Sequence, residues 1–202
     1  GVFSFCMCPG GMIIPASTEK KSLVVNGMSS SNRGSAFANS GIVVSINPQD
    51  VKEYSKQSAL SLMKFQQECE QKIYIHNQTS PAQRISDFIR NKPSNNISAT
   101  SYPSGLQACN MNDYLPRIIA EHLKEGFKVF DRRIKGFISN QATMIGLESR
   151  TSSPVRILRD KDSLQHPQLA MLFPCGEGAG YAGGITSSAI DGVNAAEKIS
   201  QI

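Results

Sequence analysis

A glycine-rich segment near the end of the chain constrains its fold more than any other sequence feature. Residues 176–184 read Gly-Glu-Gly-Ala-Gly-Tyr-Ala-Gly-Gly, and they follow an apolar run at 169–173. An amphipathic helix is predicted next, with one face formed by Ile185, Ala189, Val193, Ala196 and Ile199. A strand, a glycine turn and a helix in this order bring the free N–H groups of the helix N-terminus against an anion. The segment therefore predicts either a closely packed turn or one that binds part of a ligand.

Residues 178–183 match the G-x-G-x-x-G pattern of dinucleotide-binding proteins. The complete fingerprint also needs a second strand with an acidic residue about 20 positions further on, which binds a ribose. The sequence ends at Ile202, so we expect this turn to close over one part of a cofactor that other segments also hold. Glu177 then offers a carboxylate to ligand hydroxyls, and the first amides of the helix face a partial negative charge.

Short apolar runs, rich in β-branched residues, flank a middle region with helical periodicity. The predicted strands are 2–6, 12–14, 23–25, 42–44, 143–147, 155–158 and 169–173. A polar loop is predicted at 26–34, and Pro15 is expected to end its strand or to lie at a sheet edge. The pattern predicts an α+β fold, with a β-rich layer from residues 1–47 and about 142–175 and a helical insertion at about 48–135.

Three helices are predicted in the middle of the chain. Capping residues at 47–50 and 80–83 open the first two, and Pro116 lies where a first helical turn tolerates proline. The apolar positions are Leu62, Phe65, Cys69 and Ile73; Ile85, Phe88 and Ile89; and Leu115, Ile118, Ile119, His122, Leu123, Phe127 and Phe130. Because His122 falls within an apolar stripe, a hydrogen-bonded histidine in the core or at its boundary is favoured over a metal ligand.

Composition excludes several classes of protein. Apolar residues form 40% of the 202 residues, which is enough for a core and argues against a disordered chain. No apolar run approaches the roughly 18 residues of a membrane helix, so no membrane association is expected. The five cysteines, an odd number, and the lack of a secretion signal predict a cytoplasmic protein. The net charge of +5 is spread thinly, which makes nucleic acid an unfavoured partner. No histidine has metal-ligand spacing, so no metal site is expected.

Cys6 and Cys8 form a C-x-C pair in the first predicted strand, where residues two apart face the same side. The pair is a candidate for redox catalysis, for half of a metal site, or for ordinary cysteines in a strand or substrate pocket. Metal binding is the least favoured of the three, because further ligands are not nearby. Structural or substrate-pocket cysteines are the most favoured.

Arg150 and Arg156 flank the hydroxyl-rich residues 151–154. Guanidinium groups beside hydroxyls suit a carboxylate or phosphate, since arginine binds oxyanions in a bidentate fork. Both arginines are therefore candidate catalytic or substrate-binding residues. Equally open is a structural role in which the pair bridges strands with Glu148 or Asp160 as partner.

Four separated motifs, at 2–11, 25–29, 149–157 and 176–185, stand in an order that resembles one family of largely uncharacterised FAD-dependent dehydrogenases. These are bacterial and plastid flavoproteins with two dinucleotide-binding folds. The resemblance implies that this chain is the C-terminal part of such a protein. It also implies a partner, the N-terminal segment with the fingerprint for the ADP half of FAD, and an unknown small-molecule substrate.

The resemblance further implies roles for individual residues. The pair Gly176-Glu177 would meet the ribityl hydroxyls of FAD, and the amides of Gly183, Gly184 and Ile185 would face the pyrimidine edge of the flavin. Gly178 and Gly180, which lie between these two groups, would also belong to the cofactor-binding residues.

Residues 1–168 would form an inserted substrate-side domain, and residues 169–202 would complete the FAD-binding domain. The function implied is an FAD-dependent oxidoreductase, of which this part alone is inactive. The alternative, drawn from the charge and the helical middle, is a non-enzymatic basic module that binds nucleic acid or protein.

Overall fold

The computed structural model describes residues 1–54 and 58–202. Their contacts divide the chain into two compact units. The first unit consists of Gly1–Asp50 and Phe65–Ser149, and the second consists of Val51–Lys64 and Arg150–Ile202. Small sheets and helices occur together, which confirms the α+β class. The domain boundary at residue 168, which concerns an assembled flavoprotein, stays a prediction.

The N-terminal part of the first unit is built from two antiparallel strand pairs. Strand β1 (Val2–Cys8) pairs with β4 (Asn39–Val44), and β2 (Gly11–Pro15) pairs with β3 (Val25–Ser29). Strand β2 ends at Pro15, as predicted, because proline has no N–H group to donate to a ladder. The β-rich character of the first 47 residues is confirmed.

The predicted polar loop at 26–34 is wrong at its start, since its first four residues belong to β3. Here the chain pairs with β2 through Gly27, which lies opposite Ile13. The Asn39 side chain occupies the space where a Cβ of Gly27 would be. Long-range packing over a missing side chain therefore extends the strand beyond the apolar run that predicted it.

A three-stranded sheet forms the second half of the first unit. Strand β5 (Ser80–Arg84) lies in the centre, parallel to β6 (Leu106–Ala108) and antiparallel to β7 (Thr143–Ile145). Both β5 and β6 fall in the predicted helical insertion. The predicted helix cap at 80–83 is wrong, because these residues belong to β5, and the Ser80 hydroxyl donates to the Gly146 carbonyl at 2.6 Å instead of accepting a hydrogen bond from a helical amide.

The helices agree better with the sequence. They are a 3₁₀ segment Pro48–Tyr54, α1 (Ser61–Lys72), α2 (Ile85–Ile89), a 3₁₀ turn Met111–Asp113, α3 (Arg117–Arg133) and α4 (Ile185–Ile199). The predicted apolar face of α1 is largely buried. Among the described residues, no helix is both long and apolar enough to cross a membrane.

The core of the first unit joins β3 to the helices that follow. Its buried members are Leu23, Val25, Ile73, Ile85, Phe88, Tyr102, Met111, Leu115, Ala120, Leu123 and Phe127. His122 does not belong to this core, although its ring is hydrogen-bonded, with Nδ1 2.8 Å from the Ile118 carbonyl oxygen; the ring is exposed, so the predicted core position is wrong. The buried face of α3 is narrower than the apolar pattern of its sequence suggests. His122 lies outside this face, and its imidazole hydrogen-bonds to the backbone of its own helix.

The second unit contains no strand in its described residues, so the predicted strands at 155–158 and 169–173 are wrong. Asp160 ends the first of these segments, because its carboxylate accepts the amides of Asp162 and Ser163 and bends the chain. Single backbone hydrogen bonds, such as His166 N–H to Leu172 O at 2.7 Å, replace a ladder. An apolar run needs a partner strand to become a strand, and neither run has one here.

Candidate functional site

The glycine-rich turn of the second unit holds two glycines in the left-handed region of backbone conformation. Gly176 has φ +76° and Gly180 has φ +85°. A Cβ built on Gly180 would lie 2.8 Å from the Val155 carbonyl oxygen and 3.1 Å from the Cα of Arg156. Both the dihedral angle and the close backbone approach require glycine at position 180. This glycine is therefore explained by the fold of the chain itself.

Three other glycines of the turn border open space. A Cβ added to Gly178 or Gly183 would have no atom within 4 Å, and one added to Gly184 would have only the Ser187 hydroxyl at 3.9 Å. None of the three has a positive φ. Nothing in the described chain therefore requires glycine at these positions. A bare backbone that borders open space lets another molecule approach closely.

The segment after Ser149 is fastened to this turn by four hydrogen bonds. Ser153 Oγ donates to Gly178 O at 3.1 Å and Ile157 N–H to Ala179 O at 3.1 Å. The Tyr181 hydroxyl returns to Ile157 O at 2.9 Å. The structure thus joins two segments that the sequence treated as separate motifs.

Arg156 is the fourth tie between these segments, and its Nε donates to Gly180 O at 2.9 Å. Its partner is therefore a turn carbonyl, and neither of the acids that the sequence suggested, Glu148 or Asp160, forms a described ion pair with it. Arg150 is exposed at the start of the same segment. The candidate role of both arginines in substrate binding stays a prediction.

An ion pair that the sequence did not reveal anchors the turn to helix α4. The two terminal nitrogens of Arg159 contact the Asp191 carboxylate, Nη2 at 2.7 Å and Nη1 at 3.0 Å. The side chains of Arg159 and Asp191 are only 11% and 13% exposed. Nη1 also donates to Pro174 O at 2.8 Å, and the Gly176 amide donates to Asp191 at 2.8 Å. The guanidinium lies 3.7 Å from the centre of the Tyr181 ring. The pair therefore ties both ends of the turn to the helix.

The charges of this pair stabilise each other. The hydrogen bonds from Arg159 lower the pKa of Asp191, and the same bonds raise the pKa of Arg159. Both side chains are therefore ionised at neutral pH. No local signal in the sequence could have revealed the pair, because its members are 32 positions apart and Arg159 lies outside any helix or strand.

Helix α4 begins at Ile185 with its N-terminus open. The N-cap residue is Gly184, and no side chain caps the first turn within the described chain. The first amides of a helix have no acceptor within the helix, and they carry the positive end of its dipole. The Ile185 side chain beside them is 93% exposed. This end of the helix is chemically suited to a negative or electron-rich ligand edge.

Glu177 lies inside the turn with an available carboxylate. Its side chain is half-buried and forms no hydrogen bond or ion pair with any described residue. Carboxylate oxygens accept hydrogen bonds from hydroxyl groups. The bare glycines, the open helix end and this carboxylate together fit a ligand that carries hydroxyls next to an electron-rich ring.

The apolar face predicted for α4 is exposed along its length in this chain. The helix instead turns Ala195 inward, and Ile190 and Val193 remain more than half exposed. The helix itself is confirmed. Its apolar stripe has no cover within the described residues.

Cys6 and Cys8 lie at a β-bulge in the first unit. The register of β1 against β4 shifts between Phe5 and Cys8, and Cys6 has φ +47°. Strand alternation therefore does not apply here, so it does not place the two sulfur atoms on the same side of the strand. Cys6 is exposed and Cys8 half-buried, with the Cys8 thiol donating to the Cys6 carbonyl at 3.2 Å. Their candidate catalytic role stays a prediction.

Comparison with known proteins assigns the chain to a family. Residues 1–151 match the family described as "FAD-dependent protein, C-terminal domain-like". The chain belongs to this family, which confirms the resemblance found in its motifs. The glycine-rich turn lies beyond the matched residues.

The chain is also 40% identical over 201 residues to an uncharacterized protein of Clostridium beijerinckii. The match covers 98% of this chain and 38% of that protein. The chain therefore spans well under half the length of the relative that it matches.

Proposed function

We propose that this chain is the C-terminal part of an FAD-dependent oxidoreductase. In this proposal the first unit faces the substrate, and the glycine-rich turn of the second unit contacts the ribityl chain and the flavin. Membership of the FAD-dependent family supports the cofactor. The observation that carries the placement is the set of glycines at 178, 183 and 184, which no contact among the described residues explains.

Each part of the turn has a defined task in this proposal. Gly176 turns the backbone so that Glu177 accepts hydrogen bonds from ribityl hydroxyls. The amides of Gly183, Gly184 and Ile185 donate to the pyrimidine edge of the flavin, where the helix dipole stabilises negative charge. When bound, FAD supplies the hydride chemistry, and the protein supplies position and electrostatics. The Arg159–Asp191 pair holds the turn against helix α4.

The exposed face of α4 supports a further part of the proposal. An amphipathic helix gains most of its stability by burying its apolar face. We propose that the N-terminal FAD-binding segment of the same protein covers this face and supplies the site for the adenine and pyrophosphate. This chain then binds FAD weakly or not at all when it is separated from that segment.

The experiment uses the intact protein, purified with its flavin. Gly183→Val places a branched side chain in the open space of the turn, and Gly192→Ala is the matched control, because its added Cβ also meets nothing within 4 Å. We expect the Gly183 variant to lose most of its flavin absorbance while its far-UV circular dichroism is unchanged. The control should keep its flavin.

Two results would contradict the proposal. An intact protein that never carries flavin would remove its basis, and salt-dependent binding to nucleic acid in that case would favour the basic binding module. Full flavin content in the Gly183→Val variant would show that the flavin does not contact this turn.

A further inference from the structure

One face of the β1–β4 pair points away from the core. Residues directly opposite each other in an antiparallel pair share a face, and successive residues alternate. The pair Val2–Val44 packs against the core. The pairs Phe3–Val43 and Phe5–Gly41 alternate with it and therefore lie on the opposite face of the two strands. We call these outward residues the aromatic shelf: Phe3, Phe5, Gly41 and Val43. The Phe3 side chain is 57% exposed.

A carboxylate lies over this shelf. A Cβ built on Gly41 would stand 2.8 Å from Oε2 of Glu148 and 2.5 Å from a ring carbon of Phe5. The carboxylate and the ring edge therefore fill the space that any larger residue at position 41 would take. Gly41 is what brings an acid and an aromatic ring together on the sheet.

Glu148 has no partner in the described chain. It forms no hydrogen bond and no ion pair there, although the side chain is half-buried. Burial alone raises the pKa of this carboxyl. Taking a carboxylate partly out of water without a counter-charge costs free energy, which a ligand with a positive charge would recover.

We propose that Glu148 and the aromatic shelf bind a small organic cation, a protonated amine attached to an apolar body. The ammonium group donates charge-assisted hydrogen bonds to the carboxylate, and the apolar body lies on the rings of Phe3 and Phe5. The identification of this ligand as the substrate rests on the proposed oxidoreductase function, whereas its binding does not.

Three probes of one shape test the charge preference: 2-phenylethylammonium, the neutral 2-phenylethanol and the anionic phenylacetate. Binding to the intact, flavin-loaded protein is measured by isothermal titration calorimetry. A charge-assisted hydrogen bond predicts that the amine binds at least about tenfold more tightly than the alcohol. Phenylacetate should bind least.

The variant Glu148→Gln keeps the shape of the side chain and removes its charge. We expect the preference for the amine to disappear and the melting temperature to stay equal or rise, because an unpaired carboxylate is removed. Glu19→Gln, an exposed acid of the same unit, makes the same change in net charge and should leave binding as it was. A structural carboxylate would instead lower the melting temperature when replaced.

Equal affinity for the three probes, or an amine preference that survives Glu148→Gln, would overturn the inference. Either result obtained with a protein that carries its full flavin leaves the proposed oxidoreductase function standing. An intact wild-type protein that carries no flavin would overturn that function. The affinities for the three probes would still test whether Glu148 and the aromatic shelf bind a cation.

Discussion

Removal of the Arg159 guanidinium should loosen the glycine-rich turn. The variant Arg159→Met keeps much of the side-chain length and leaves the Asp191 carboxylate with the Gly176 amide as its remaining described partner. Breaking a fully buried pair costs about 3–5 kcal/mol. Because both side chains keep slight exposure, at 11% and 13%, we expect about 2 kcal/mol here.

Hydrogen–deuterium exchange of the intact protein, followed by mass spectrometry, measures this loss where it occurs. A loss of about 2 kcal/mol in local opening corresponds to roughly thirtyfold faster exchange in peptides that cover residues 174–181. Arg117→Met is the matched control: Arg117 also contacts a carboxylate, Glu121, at 2.6 Å, but its side chain is 91% exposed. An exposed pair of this kind should give no measurable change.

A double variant separates the pair from its surroundings. Replacing both members, as Arg159→Met with Asp191→Leu, removes the unpaired charge and should restore part of the protection lost in the single variant. Exchange of Arg159→Met at the wild-type rate would contradict this prediction. A double variant that loses as much protection as the single variants Arg159→Met and Asp191→Leu added together would contradict it as well.

Three further results are expected. Gly180→Ala should destabilise the second unit by at least about 1 kcal/mol in denaturant titrations, through its φ of +85° and its contact with Val155, whereas Gly178→Ala should not. Burial raises the pKa of Cys69 to about 12, so an alkylating reagent at pH 8 should modify the exposed Cys175 long before Cys69, as peptide mass spectrometry would show. The pKa of Asp191 is lowered chiefly by Arg159, so the pair's contribution is complete above the unfolded value of about 3.9 and is lost as the pH falls through the lower folded value. Acid titration of exchange rates should show this loss in the wild type and not in Arg159→Met.

Local patterns in the sequence predicted the parts of the fold that local forces decide. Helices α3 and α4 follow from apolar spacing, and β1 and β4 follow from β-branched and aromatic runs. The runs at 155–158 and 169–173 have the same local character, yet neither forms a strand. A strand requires hydrogen bonds to a neighbour, and the sequence of a run does not say whether a neighbour exists.

In the candidate site, too, local features could be predicted from the sequence and long-range contacts could not. The glycine-rich turn and its helix could be predicted, because glycines mark a turn and α4 has apolar residues at helical spacing. The contacts that hold it could not, since Arg159 and Asp191 meet only in the folded chain. Glu148 and Gly41 are further apart still in the sequence, and only the folded chain brings the Glu148 carboxylate next to Gly41.

The glycines of the turn serve two different purposes, and the structure separates them. Gly176 and Gly180 adopt a backbone conformation that other residues resist, so this fold needs them whether or not a ligand binds. Gly178, Gly183 and Gly184 have ordinary φ values and empty space where a side chain would be. A chain that stabilised only itself would gain by placing larger residues there, because glycine costs more entropy on folding than any other residue. These three glycines lie beside a helix end that has no side-chain cap and a Glu177 carboxylate that has no partner among the described residues, and they are the part of the turn that the proposed flavin contact would account for.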